Sequence, residues 1–226
     1  VRIKVYFHVI TSGSGDGSGS ARTIKQQMGV INRAYRETRF RFELADTIVT
    51  SNNRWFTASP GSSAETEMKN ALRSGTYQDL NIYTTVQSDL NLGWSTYPAN
   101  VGSLFRYDGV VVDYRTLPGD DFAPYNLGIT SAHEIGHWLG LQHTFNGGCN
   151  PDGSAGDKIG DTPAEASANY GCPASRNSCP GNVGALAGDD PIHNYMDYSD
   201  DSCMNSFTND QRTRMVQSWY MYRATK

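Results

Sequence analysis

Hydrophobic and polar residues alternate with a period of two in several stretches of the chain, and this period predicts β-strands. The alternation is clear over residues 1–10 and 40–50. Further strands are predicted at residues 80–86, 92–96 and 109–114, the last of which has a valine-rich centre. Five strands are therefore expected.

A period of 3.6 residues predicts helices between and after these strands. In the clearest case Ile24, Met28, Ile31 and Tyr35 share one helical face. The predicted helices are residues 21–37, 64–74, 126–139 and 209–223. The order β-α-β-α-β-β-β-α, followed by a long irregular segment and a last helix, indicates an α+β fold.

Size and composition limit the classes of protein to which the chain can belong. Its 226 residues fit one domain with two closely packed halves, an upper half of about residues 1–140 and a lower half of about residues 141–226. Hydrophobic residues make up 38% and the mean hydropathy is −0.54, and no apolar run approaches the ~18 residues that cross a bilayer. The net charge of −4, with scattered basic residues, argues against nucleic acid as a partner. The first ten residues lack the pattern of a signal peptide, so a mature form without a membrane anchor is expected.

Four cysteines lie in the irregular segment of the lower half: Cys149, Cys172, Cys179 and Cys203. They allow three disulfide pairings, and their spacing does not choose among them. Two disulfides indicate an oxidising, extracellular setting. The alternative is a second zinc site, which the lack of a C-x-x-C pair disfavours.

The strongest chemical signal is the segment 133–143, which matches H-E-x-x-H-x-x-G-x-x-H at every specified position. On a helix His133 and His137 share one face and can bind the same ion. Gly140 can turn the chain so that His143 becomes the third ligand. Three imidazoles and an open fourth position are typical of catalytic zinc, and Glu134 is placed to act as general base towards a water.

Three alternatives compete with this interpretation. The histidines could lie on the surface of an ordinary helix, although the full pattern makes coincidence improbable. A zinc hydrolase of another class would take a glutamate as its third ligand, and Glu165 is the nearest downstream candidate. A metal-stabilised binding domain would have no use for the base Glu134.

The histidine motif and the downstream segment Asn194-Tyr195-Met196-Asp197-Tyr198 together resemble the metzincin proteases, and within them the pappalysin family. The resemblance is strong from about Leu92 to Trp219. It includes the following further matches: Gly136–Leu141, His143–Phe145, Asp161–Pro163, Asp190–Ile192, Asp200-Asp201 before Cys203, Phe207-Thr208, Gln211-Arg212, Arg214-Met215 and Trp219.

The pappalysin resemblance implies a secreted, monomeric zinc endopeptidase that acts on proteins or peptides and is made with its own propeptide. It implies a twisted, mostly parallel five-stranded sheet and two main helices above a cleft, with an irregular lower half and a C-terminal helix below. It also implies the disulfides Cys149–Cys179 and Cys172–Cys203. Met196 would form a tight turn beneath the metal, and the Tyr198 phenol would reach the metal or the developing oxyanion. Simple core packing is the alternative for both.

Substrate binding and calcium are also implied by the resemblance. The edge strand with Gly93 and Trp94 would pair with an extended peptide. Asp201 would line the pocket for the residue after the scissile bond and favour Arg or Lys there; a solvated Asp200-Asp201 pair is the alternative. The loop with Asp152, Asp157 and Asp161 would hold structural calcium, unless these residues only form solvated turns.

Overall fold

The computed structural model describes residues 1–19, 21–87, 91–100, 102, 104–149, 156–181 and 187–225. Its strands form one five-stranded sheet with the order β2-β1-β3-β5-β4. The strands are β1 (Arg2–Thr11), β2 (Arg41–Ser51), β3 (Leu80–Thr85), β4 (Gly93–Ser95) and β5 (Val110–Asp113). β1, β2, β3 and β5 run parallel, whereas β4 is antiparallel to β5 and forms an edge of the sheet. The mostly parallel sheet implied by the resemblance is thus confirmed.

The helices cover both faces of the sheet. They are α1 (Ala21–Ala34), α2 (Asn53–Phe56), α3 (Ser63–Leu72), α4 (Ile129–Trp138) and α5 (Asn209–Tyr222). α1 and α4 pack together on one face, and α2 and α3 lie on the other. Because both faces are covered, every residue of β3 and β5 is buried, as is usual for parallel strands.

Two helix boundaries differ from the prediction by three residues, and one short α-helix was not predicted. α1 ends at Ala34 instead of residue 37, since the next residues form a turn. α4 begins at Ile129 instead of residue 126, because Gly128 has a left-handed backbone (φ 86°). α2 was not predicted at all: its four residues are too few to show a helical period, and its start depends on the cap from the Asn52 side chain.

The main hydrophobic core lies between the sheet, α1 and α4, and it continues into the lower half. There Met196, Phe207, Met215 and Trp219 pack beneath the sheet face that carries α4. A second cluster, formed by Ile10, Phe56, Met68, Tyr83 and Val111, fills the opposite face. α4 is therefore enclosed between the sheet and the lower half.

The described part of the lower half before α5 contains no helix, and its one β-bridge joins Asn194 and Ser206. Two disulfides close this region, Cys149–Cys179 and Cys172–Cys203, and these are the pairs that the resemblance implies. A capping box of Thr208 and Gln211 starts α5. At its other end, the buried Arg223 pairs with Asp108, which also accepts the Trp138 indole N–H at the end of α4.

Candidate active site

Three histidine side chains converge at the lower side of α4. His133 and His137 lie one turn apart on the helix, and the chain reverses after Trp138 through Gly140, which has φ 97°. This turn brings His143 back to the helix. The His137 Nε2 lies 3.1 Å from His133 Nε2 and 3.0 Å from His143 Nε2.

The surroundings of the three imidazoles suit a metal ion. His133 Nδ1 lies 2.7 Å from the Tyr195 carbonyl oxygen, and His137 Nδ1 lies 2.8 Å from the Leu141 carbonyl oxygen. Each Nδ1–H therefore donates to a carbonyl, and the unprotonated Nε2 keeps its lone pair for a metal ion. Burial lowers the pKa of His137 to about 4 and that of His143 to about 3, and holds the pKa of His133 well below its usual range. Neutral imidazoles whose lone pairs meet within hydrogen-bond distance repel each other unless a cation lies between them. The residues present therefore fit zinc.

Glu134 lies beside this triad in the wall of a cleft of about 550 Å³. Its side chain is buried, and its Oε2 has no hydrogen-bond partner among the described residues. Burial raises the pKa of Glu134 to about 8, because the ionised form loses its hydration. The carboxyl group can therefore exchange a proton near neutral pH.

Met196 lies directly beneath α4. It is fully buried, and a Cβ atom at position 136 would overlap its Sδ, so only glycine fits at Gly136. The same segment supplies the Tyr195 carbonyl that accepts from His133, and the Met196 carbonyl accepts the Thr144 N–H at 3.2 Å. The turn thus supports His133 and the segment that carries His143.

Tyr198 lies at the cleft, with its hydroxyl 3.2 Å from His143 Nε2. Its ring also meets the Phe145 ring, which stacks on the His143 imidazole at 4.8 Å. Burial, followed by the charge of Glu134, raises the pKa of Tyr198 to about 12. The phenol therefore keeps its proton and is a hydrogen-bond donor at neutral pH.

Asp201 lines the same cleft from the lower half. Its Oδ2 accepts the Leu127 N–H at 2.8 Å and the Ile129 N–H at 3.4 Å, while the buried Oδ1 has no partner among the described residues. Burial raises the pKa of Asp201 to about 6. One oxygen of this carboxylate fixes its position, and the other is left without a partner among the described residues.

β4 forms the rim of the cleft above Glu134. A Cβ atom on Gly93 would lie 2.7 Å from the Val111 carbonyl oxygen and 3.0 Å from Glu134 Cγ, so the lack of a side chain makes room for Glu134. The next side chain, Trp94, points to the opposite face and packs on the second hydrophobic cluster. The prediction that this strand pairs with an extended peptide concerns its main chain, and the Trp94 side chain faces away from the cleft because neighbouring strand residues face opposite sides of the sheet.

Comparison with known proteins agrees with this geometry. The M43 peptidase model, described as pregnancy-associated plasma protein-A, matches residues 77–219. This chain is a member of the M43 peptidase family. An extracellular metalloprotease of Neurospora crassa is 47% identical over 99% of this M43 chain and 76% of its own length.

Solved structures of mirolysin share the fold of this M43 peptidase. Mirolysin in complex with a compound gives a TM-score of 0.80 at 28% identity, over 97% of this chain and 91% of that one. Mature mirolysin of Tannerella forsythia with a cleaved peptide gives 0.76, over 95% and 90%, and a promirolysin mutant gives 0.76, over 98% and 82%, both at 28% identity. The pappalysin resemblance and the metzincin fold are confirmed, and this M43 peptidase is an extracellular metalloendopeptidase that acts on peptide substrates. Among the described residues no helix is long and apolar enough to cross a membrane.

Of the three aspartates expected to bind calcium, the structure describes Asp157 and Asp161. Asp152 lies outside the described residues. Asp157 is buried, its Oδ1 accepts the Ile159 N–H at 3.0 Å, and its Oδ2 has no described partner. The exposed Asp161 instead accepts the Asp210 N–H at 3.1 Å at the start of α5.

Two further groups touch the triad without having been predicted. The Tyr97 hydroxyl lies 3.0 Å from His137 Nδ1, and the Leu141 carbonyl accepts from the same nitrogen. Tyr97 lies forty residues before His137, and no short-range pattern connects them. Glu165, the alternative third ligand, is buried away from the triad and bonds Thr144 and Arg176.

Proposed function

We propose that this M43 peptidase is a zinc-dependent endopeptidase in which His133, His137 and His143 bind one zinc ion and Glu134 is the general base. The observation that carries the proposal is the buried Glu134 Oε2, which has no described partner and lies in the cleft wall beside three converging imidazoles. Bound zinc would lower the pKa of a water to about 7 and polarise the peptide carbonyl.

Glu134 would take the proton of the attacking water and pass it to the leaving amine. Its raised pKa supports both steps, because a carboxyl that titrates near neutral pH accepts and releases protons readily. Gly93 keeps the space that the Glu134 side chain occupies. Tyr198 remains protonated and would donate to the oxyanion that develops on the carbonyl oxygen.

The free oxygen of Asp201 supports a preference for Arg or Lys after the scissile bond. The Oδ1 is buried in the cleft wall and has no partner among the described residues, while Oδ2 accepts the Leu127 and Ile129 N–H groups at the start of α4. A cationic side chain would satisfy this oxygen and keep the carboxylate ionised. Asp200 is not assigned a role.

The open edge of β4 would bind the substrate backbone. Leu92 and Thr96 pair inwards, since the Leu92 carbonyl accepts the Asp113 N–H at 2.8 Å and the Thr96 N–H donates to Gly109 at 3.0 Å. In an antiparallel pair every second residue turns its backbone groups away from the partner strand, so Gly93 and Ser95 face outwards while Trp94 pairs with Val111. Gly93 and Ser95 would therefore offer their outward groups to an extended peptide, which would replace Asn91 Oδ1 as the acceptor of the Gly93 N–H.

Three further assignments are part of the proposal. Asp157 would contribute to a structural calcium site, because its buried Oδ2 has no partner among the described residues. EGTA should then lower the melting temperature of the wild type more than that of Asp157→Asn. A propeptide would precede the mature chain, as in promirolysin. The chain would form one domain over residues 1–226 and act as a monomer.

The test is a mass-spectrometric map of casein fragments made by zinc-loaded wild type and by Glu134→Gln. Glutamine keeps the shape of the side chain but cannot accept the water proton, so kcat should fall by about a hundredfold or more. Zinc content should stay at one ion per chain, and the wild-type fragments should begin mostly with Arg or Lys. An active Glu134→Gln variant would contradict the general base, and fragments without Arg or Lys would remove Asp201 from the pocket.

A further inference from the structure

A buried carboxylate lies on the face of the sheet opposite the cleft. Glu65 of α3 is fully buried. Its Oε1 accepts the Trp94 indole N–H at 2.5 Å and pairs with Lys69 Nζ at 2.7 Å. Its Oε2 accepts the Gly61 N–H at 2.8 Å and the Tyr107 hydroxyl. A single side chain thus joins α3, the loop before it, β4 and the segment before β5.

The bond to Trp94 matters because it holds β4 from the face of the sheet opposite α4, which contacts the strand on the cleft side. The strand is only three residues long, it lies at the edge, and its single neighbour is β5. A short edge strand with one partner frays readily. The Trp94 ring packs on the second hydrophobic cluster, and its N–H ends on Glu65, so the strand is fixed from behind the sheet.

The two faces of β4 connect this anchor to the cleft. Trp94 points towards Glu65, whereas Gly93 lies against Glu134 on the other face. The outward backbone groups of Gly93 and Ser95 would bind the substrate. The position of Trp94 therefore determines where the substrate edge lies relative to Glu134.

We infer that Glu65 is a positioning residue for substrate binding: through the Trp94 indole it holds β4 at the height where an extended peptide pairs with it. The inference rests on the proposed function of the β4 edge. Because strand pairing acts on the bound substrate and on the transition state alike, loss of the anchor raises KM and leaves kcat nearly unchanged.

The first test compares Trp94→Phe with Trp55→Phe. Both tryptophans pack on the second hydrophobic cluster, but among the described residues only the Trp94 indole bonds Glu65. In Trp94→Phe the KM for an extended peptide should rise about tenfold, as expected for a lost hydrogen bond to a charged group, with kcat within about twofold of wild type. Amide exchange of residues 92–96 should accelerate. Trp55→Phe should change neither quantity.

The second test separates the hydrogen bond from the ion pair. Glu65→Gln with Lys69→Met removes both charges but keeps a side-chain oxygen for the Trp94 N–H, so KM should stay near that of the wild type. Glu65→Leu with Lys69→Met removes the acceptor as well, so KM should rise about tenfold. Since neither double variant leaves a buried charge unpaired, both are expected to fold.

Equal KM values and equal exchange in Trp94→Phe and Trp55→Phe would overturn the inference, as would a loss confined to kcat. Equal KM values in the two double variants would do the same. The rate of amide hydrogen exchange in residues 92–96 tests the inference independently of catalysis. A wild type that fails to cut casein contradicts the proposed function, whereas unchanged β4 exchange in Trp94→Phe contradicts this inference alone.

Discussion

The upper and lower halves of the molecule build one active site by different physical means. In the upper half, a sheet and two helix layers hold His133, His137 and Glu134 through regular backbone hydrogen bonds and a continuous apolar core. In the lower half, disulfides and side chains bonded to the backbone hold His143, Met196 and Tyr198.

This difference determines how strongly the stability of each half depends on single interactions. A regular element distributes a local loss over many equivalent bonds, whereas an irregular segment depends on a few particular ones. The buried carboxylate of Asp197 is an example, because its Oδ1 alone accepts the N–H groups of Asn169 and Tyr198. The lower half should therefore be the more sensitive to single changes, and five predictions test the comparison.

The largest effect is expected from the disulfides. They close loops of nearly equal length, with sequence separations of 30 and 31, so in the chain-entropy model removal of either costs about 4 kcal/mol of unfolding free energy. Their effects on catalysis should differ. Cys203 lies two residues from Asp201, so Cys172→Ser with Cys203→Ser should also lower kcat/KM, whereas Cys149→Ser with Cys179→Ser should mainly lower stability. Chemical denaturation and peptide kinetics measure the two quantities, and equal kinetic losses would contradict the distinction.

Asp201→Asn should lower the preference for Arg over Leu after the scissile bond by about a hundredfold, or near 2.7 kcal/mol, because the charge-assisted contact is lost. The variant should keep its fold, since the amide oxygen can still accept from the Leu127 and Ile129 N–H groups. Competition between two peptides measures this preference. Asp200→Asn is the matched control and should leave the preference unchanged. A preference that survives in Asp201→Asn would place the specificity elsewhere.

The same variant should also differ from the wild type in how its unfolding free energy depends on pH. Burial raises the pKa of Asp201 from 3.8 to about 6, so the folded state binds the proton more tightly than the unfolded state. The resulting stabilisation is complete below pH ~4 and is lost as the pH rises to ~6. The unfolding free energy of the wild type should therefore decline over this interval relative to that of Asp201→Asn. Parallel stability curves for the two proteins would contradict the raised pKa.

Gly136→Ala tests the contact between the halves. The new methyl group would overlap Met196 Sδ, and such overpacking in a closed core costs about 2 kcal/mol of unfolding free energy. Part of this loss should return in the double variant with Met196→Ala, because the smaller side chain leaves room. Zinc affinity should fall with stability, since the Tyr195 carbonyl next to Met196 orients His133. Additive losses in the double variant would show that the two residues do not compete for one space.

The sequence predicts the upper half better than the lower half for a physical reason. Strand and helix periods arise from local geometry, so β1 and β2 were located to within one or two residues. Period two also implies that positions 93 and 94 face opposite sides of the sheet, so the Trp94 side chain lies on the face away from Glu134. Contacts such as Glu65 with Trp94 or Tyr97 with His137 join residues far apart in the chain, and no local period encodes them. In the lower half the spacing of the histidine motif pointed to His143, whereas only the family resemblance pointed to Met196 and Tyr198.

The smallest effect is expected from Tyr97→Phe, which asks which half orients His137. A neutral His137 that binds zinc through Nε2 has one proton on Nδ1, and two oxygens approach that nitrogen, the Leu141 carbonyl at 2.8 Å and the Tyr97 hydroxyl at 3.0 Å. Burial raises the pKa of Tyr97 to about 12, so the hydroxyl stays neutral and is the weaker acceptor. The Leu141 carbonyl, at the start of the lower half, should therefore keep the imidazole in place.

Loss of an outer contact to a metal ligand typically costs ~10-fold to 100-fold in metal affinity. In Tyr97→Phe, by contrast, the zinc dissociation constant should change less than about threefold. A competitive chelator titration measures it, and a loss of tenfold or more would show that the upper half orients His137 as well.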